Sequence, residues 1–295
     1  MRRLPLTPIP LLALSLMLAL PALAAPIETW VRPAGDPLVV EHQRAQAGAF
    51  DVQAAPMQAH ELMDLQYGGK RQFKALSLWA VIDQVAPKDP KVDGVLLRFA
   101  NGMAVPLPLE PTGREKLKLW IARAVWVDGQ WRAELPPISQ GDRDPRPLKF
   151  KGHKLVAETP FHPFANPDAD FSPWRHVDTL VGLEFVNLKA WYGQFQVDEK
   201  ASPQGTPVYK TWCTHCHGVR RVGARFGWDF VDPLPAVDQR PTVSDLLFHV
   251  RYRATDATQL GLMMPAMKRF TRGEGERLHA WLRVLIDKPL KAYEP

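Results

Sequence analysis

Residues 213 to 217 read Cys-Thr-His-Cys-His and contain the only two cysteines of the chain. Two thiols separated by two residues and followed at once by a histidine form the CxxCH pattern of covalent haem attachment. At this spacing the thiols can reach the two vinyl groups on one porphyrin edge as thioethers, while the adjacent imidazole is held under the iron as its proximal ligand. A redox-active CxxC pair would need a thioredoxin-like strand followed by a helix, and the flanking sequence does not supply one. A zinc centre would need further Cys or His ligands at close spacing; His249 and His279 follow, but no second close pair does. The expected cofactor is therefore one haem c, bound by Cys213 and Cys216 with His217 on the iron, and His215 serving as a spacer.

Helices are expected around this motif. Ser202 or Thr206 can cap a helix running into it, with Pro203 or Pro207 at its first position. Val243, Leu246, Leu247 and Val250 recur at helical spacing behind Thr242, with Asp245 three residues on. Thr271 and Glu274 make a capping box ahead of Leu278, Trp281, Leu282 and Leu285, which share one face.

The run Gly205-x-x-x-Tyr209-x-x-x-Cys213-x-x-Cys216-His217 resembles the opening of a class I cytochrome c domain, and the resemblance extends over about residues 200 to 290. It implies an all-α fold whose last helix crosses the first beside the haem. A thioether as sixth ligand would raise the reduction potential, and Met263, Met264 and Met267 are the candidates. The family places its ligand methionine just before a proline, which selects Met264 ahead of Pro265; His249 or an open position are the other possibilities. In the family a proline about a dozen residues after the haem histidine supplies a carbonyl to the imidazole. Here Pro233 and Pro235 come later, so the group supporting His217 is undetermined by sequence. Arg220, Arg221, Arg225, Lys268, Arg269 and Arg272 flank the ligand segments, where they would either steer an acidic redox partner or form an ordinary solvated surface.

Residues 26 to 197 are too many for a linker. A short helix with Leu78, Ile82 and Val85 on one face is expected, then strands over 95–99 and 103–109 joined at Asn101-Gly102. Further strands are expected over 119–127, ending at Asp128-Gly129, and 181–188. The run Ala75-Leu76-Ser77-Leu78-Trp79 and the closing stretch Trp174 to Val186 loosely resemble the molybdopterin-binding domain of sulfite oxidase-like enzymes, which implies an α+β mixed sheet. That family binds molybdenum through a cysteine. Both cysteines of this chain lie in the haem motif, so molybdopterin is not expected and a docking or ligand-binding role is. His153, His162 and His176 are candidate ligands there, though isolated histidines are more often structural. Trp174 and Trp191 read as core or interdomain packing.

Arg2 and Arg3, the apolar run Ile9 to Leu20 and Ala22-Leu23-Ala24 read as a secretory leader over residues 1–24. The apolar run is shorter than the roughly 20 residues a membrane-spanning helix needs. The formal charge of +6 falls to +4 once the two leader arginines are lost, a mildly basic balance without the basic tail that would suggest nucleic acid. The expected fold class is thus two domains, an α+β mixed-sheet domain over 26–197 followed by an all-α class I cytochrome c domain over 200–295. The expected function is periplasmic single-electron transfer to or from a redox protein or a dehydrogenase or oxidase subunit, with no membrane span in the mature chain. The alternative is an oxidoreductase whose N-terminal domain oxidises a small substrate.

Overall fold

The computed structural model describes residues 26–35, 45–51, 55–64, 70–133, 154–158, 179–196, 204–252, 267 and 269–295. The leader and the histidines at 153, 162 and 176 lie outside the described residues, as do Trp174, Met263 and Met264.

Two five-stranded sheets occupy the first two thirds of the chain. One contains β1 (Ile27–Val31), β2 (Ala45–Phe50), β5 (Gly94–Phe99), β6 (Ala104–Pro108) and β10 (Leu180–Val186), in the order β2-β1-β10-β5-β6. It is mixed: β1 runs parallel to β10, and every other pairing is antiparallel. The second contains β3 (Gln58–Asp64), β4 (Lys70–Ser77), β7 (Leu119–Val127), β8 (Gln130–Arg132) and β9 (Lys154–Ala157), in the order β4-β3-β9-β7-β8. Because β4 also pairs with β7, strands β3, β4, β7 and β9 close on one another. Leu62, Phe73, Val125 and Val156 fill the enclosed space. At its end the buried Lys154 ammonium reaches both oxygens of Asp64, at 2.8 and 2.9 Å.

Strand periodicity decides what each face of the first sheet meets. Val95 and Leu97 of β5 and Leu183 and Phe185 of β10 point toward Leu119, Ile121 and Leu155 of the second sheet, beneath α1 (Leu78–Val85). Leu96 and Val186 point the other way, into a core shared with Trp191, Phe195 and the C-terminal helices. Arg98 and Glu184 fall on that same second face. The Asp128-Gly129 turn has positive φ at both residues, 49° and 79°, the geometry that hairpins of this length favour.

After α2 (Pro111–Lys116) and α3 (Leu188–Gly193) come α4 (Gly205–Trp212), α5 (Ala236–Gln239), α6 (Val243–Tyr252) and α7 (Arg272–Asp287). The expected Thr271-Glu274 capping box is present at the start of α7, and Thr242 and Asp245 bond reciprocally at α6. Gln204, in the left-handed region, precedes α4 in place of either expected cap; Thr206 instead donates to the Phe195 carbonyl at 3.2 Å. Helix α7 packs on α4, where Gly205 meets Trp281 and the Tyr209 and Trp281 rings stack at 4.9 Å.

The expected pairing of an α+β domain with an all-α cytochrome domain is overturned. Among the described residues the fold is mixed α/β with three sheets, the third being a ribbon of β11 (Gly218–Val219) and β12 (Val222–Gly223) immediately after the CxxCH motif. Arg220 and Arg221 both adopt positive φ at its turn, which reverses the chain where a helix would have continued. From there to Pro235 no helical periodicity returns. No helix among the described residues is long and apolar enough to cross a membrane.

Candidate functional site

Helix α4 ends in the motif. The Cys213 and His217 amides donate to the Tyr209 and Cys213 carbonyls at 2.9 Å each, which winds the motif into turns that continue the helix. The Tyr209 hydroxyl, in the buried core, donates to the His217 carbonyl at 2.9 Å. Cys213 is buried and Cys216 half-buried, and they are not joined in a disulfide. Burial raises both thiol pKa values, that of Cys216 to about 12. A redox-active pair needs the opposite shift, because its thiolate is the nucleophile.

Cys213, Cys216 and His217 line one cavity of about 420 Å³, within the usual size range of small-molecule pockets. Its walls include Trp212, Phe226, Leu246 and Leu282. His217 Nδ1 lies 2.7 Å from the Trp228 carbonyl oxygen. A carbonyl can only accept, so the ring proton sits on Nδ1 and the lone pair on Nε2, the tautomer a metal-bound imidazole adopts when a carbonyl fixes its other nitrogen. The group supporting His217, which sequence did not reveal, is therefore the backbone of Trp228. Phe230 stacks on the imidazole at 4.8 Å with 13° between planes. Gly227 passes so close to the ring that a Cβ there would lie 2.4 Å from its Cε1.

Asp229 organises the loop that carries these groups, its carboxylate accepting from the amides of Arg220, Arg221, Val231 and Asp232 at 2.6 to 3.1 Å. The flanking arginines are not a uniform solvated ring. Arg220 turns inward and caps the C-terminus of α7, donating to the Leu285 and Ile286 carbonyls at 3.1 and 2.9 Å. Arg221 and Arg272 are exposed and pair with Asp232 and Glu276. Lys268 lies outside the described residues.

Among the methionine candidates, Met267 is buried and lines the same cavity as His217. His249 also lines it, and its Nδ1 lies 3.1 Å from the Arg240 guanidinium. Arginine can only donate, so this nitrogen accepts and the His249 proton is on Nε2. His215 is fully buried, and desolvation pushes its pKa down to about 3, which keeps it neutral. Its place inside the motif gave no sign of this.

In the sheet region, Trp191 is packed as expected, 1% exposed beneath the Arg32 guanidinium. Among the described residues no group of three or more His, Cys, Asp or Glu is placed to hold a metal ion.

No family model, no curated protein and no solved structure matches this chain. The cavity residues nevertheless fit a haem on their own chemistry. Two unbridged thiols and an imidazole of fixed tautomer share an apolar cavity, and a glycine leaves room for the ring.

Proposed function

We propose that this chain is an exported monohaem c-type cytochrome that passes single electrons to or from a redox partner. The observation that carries the reading is the His217 Nδ1 to Trp228 carbonyl hydrogen bond, 2.7 Å long, inside a CxxCH motif that faces an apolar cavity. Cys213 and Cys216 would hold the haem as thioethers and His217 would bind its iron through Nε2. Met264, on its place before Pro265, would be the second residue to hold the iron, with Met267 or Met263 as competitors. When bound, the haem supplies a one-electron couple whose potential depends on its axial ligands and on burial.

The chain's own residues perform three tasks. The apolar walls exclude water, the Trp228 carbonyl raises the basicity of His217 and fixes its orientation, and Gly227 allows that approach. The leader-like first 24 residues support export to the periplasm as part of this proposal.

The test is production of the mature chain in a host with haem c maturation machinery. Denaturation-resistant haem on the polypeptide, lost when Cys213 and Cys216 are replaced by Ala, is expected. Protein that matures without haem would refute the reading. Spectra of Met264→Ala and Met267→Ala decide the sixth ligand: the weak red charge-transfer band of ferric iron bound to a thioether disappears in one of them only. Stoichiometric molybdenum or another metal would instead favour substrate oxidation by the N-terminal region.

A further inference from the structure

The β5–β6 hairpin of the N-terminal sheet touches the CxxCH region at three points. The Ala104 amide donates to the carbonyl of His215 at 3.1 Å, inside the motif. The Gly102 carbonyl accepts from the Arg225 amide at 2.7 Å. The Arg98 guanidinium donates through Nη1 to the Gly223 carbonyl at 2.9 Å. One hairpin therefore holds both the motif and the segment 223–228 that delivers the Trp228 carbonyl. Cys216 and Phe226 pack against the core between the two N-terminal sheets, so the same body backs one wall of the cavity.

Arg98 is itself held. Its Nε donates to Glu184 Oε2 at 2.8 Å, and the other oxygen of Glu184, which is 2% exposed, accepts from Arg32 Nη1 at 3.0 Å. Arg32 lies over the Trp191 and Tyr293 rings, 4.6 and 5.2 Å from their centroids. Moving Arg98 would strip a charged partner from a buried carboxylate, which is costly. The guanidinium fork joins Glu184 and Gly223 at once, a geometry that an ammonium cannot reproduce.

We propose that Arg98, held by Glu184 and aided by the Gly102 turn, is a positioning residue for His217: it sets the 223–228 segment so that the Trp228 carbonyl meets Nδ1. The N-terminal region would then be part of the haem site and not only a docking module. The proposal rests on the cytochrome reading for its consequence, but its geometry can be tested without haem.

The experiment uses the full chain with Cys213 and Cys216 replaced by Ala, labelled with ¹⁵N on histidine, at a pH above the ordinary histidine range. Long-range proton–nitrogen correlation spectra report which nitrogen of His217 bears the proton. The parent should show the Nδ1-H form alone. Arg98→Gln should give a mixture of both tautomers, and Arg98→Lys should not restore the single form. Gly102→Ala gives a second approach that leaves every charge in place: Gly102 has φ of 89°, and an added Cβ would lie 2.9 Å from the Arg225 carbonyl carbon. It should also produce the mixture, which decides the matter if Arg98→Gln does not fold. A single Nδ1-H tautomer in folded variants overturns the proposal, whereas failure of the wild-type chain to acquire haem refutes the cytochrome reading alone. In matured protein that keeps Cys213 and Cys216, the Arg98→Gln and Gly102→Ala substitutions should raise the reduction potential, because a less basic imidazole favours ferric iron less.

Discussion

Replacing Gly227 by Ala tests whether the close approach of backbone to imidazole matters. The added Cβ would lie 2.4, 2.6 and 2.9 Å from Cε1, Nδ1 and Nε2 of His217. Ordinary contact between such atoms begins near ~3.5 Å, so ring or loop must yield by about 1 Å. A shift of that size takes the 2.7 Å Nδ1 to Trp228 contact beyond hydrogen-bonding range, which ends near about 3.2 Å. The lost bond and the crowding each cost roughly 1–3 kcal/mol, so a loss of about 3 kcal/mol is expected. The assay is urea unfolding of the haem-free chain, with Gly193→Ala as control because a Cβ at Gly193 meets nothing within 4 Å. With a slope of about 3 kcal/mol per molar urea, the midpoint of Gly227→Ala falls by roughly 1 M while the control stays in place. Superimposable curves for the two variants would refute the proposed crowding.

Three other perturbations separate neighbouring contributions. Burial alone would raise the Glu184 pKa, but Arg98 and Arg32 outweigh it and hold the carboxyl below its ordinary range. Its stabilisation is therefore present above the ordinary carboxylate pKa and lost as pH falls through the depressed value. Glu184→Gln should flatten that acid limb and cost about 3–5 kcal/mol at neutral pH, and unfolding curves that keep the wild-type pH dependence would count against it. At the α4–α7 contact, Gly205→Val places a Cβ 2.1 Å from that of Trp281; a loss of at least about 2 kcal/mol by thermal unfolding is expected, with a changed near-ultraviolet tryptophan signal. Tyr209→Phe removes the donor to the His217 carbonyl and should cost about 1 kcal/mol in denaturant unfolding, whereas an unchanged midpoint would show that water replaces the hydroxyl.

Features written in local chemistry were legible in the sequence. Strand β7 ends at Val127 because Asp128-Gly129 supplies the positive φ of a tight hairpin, and α7 begins at Thr271-Glu274 because both partners of a capping box are there. The CxxCH residues line the same cavity for the same reason, their spacing being within one turn of chain. Non-local pairings were not legible. Strand β1 lies beside β10 across some 150 residues, and nothing in Ile27–Val31 names that partner. The support of His217 was hidden differently: it is a main-chain carbonyl, and a backbone atom has no side-chain signature. Gly227 was the available signal, a residue beside a tryptophan in a loop that must come close to a ring.

The all-α expectation failed because helical caps and periodicity at both ends of the C-terminal segment say little about what joins them. Between Trp212 and Ala236 the chain makes a two-stranded ribbon, and Asp229 binds four amides that no helix satisfies. Amides outside regular structure need partners of their own, and here they find them in a carboxylate and in the N-terminal hairpin. A clue to that hairpin was already present in β5 and β10, where Arg98 and Glu184 interrupt otherwise apolar strands. Alternation puts both on the face that carries Leu96 and Val186. Charges placed there must be answered by polar groups from whatever packs on that face. The Gly223 carbonyl answers Arg98, which is why the sheet and the CxxCH loop share one boundary.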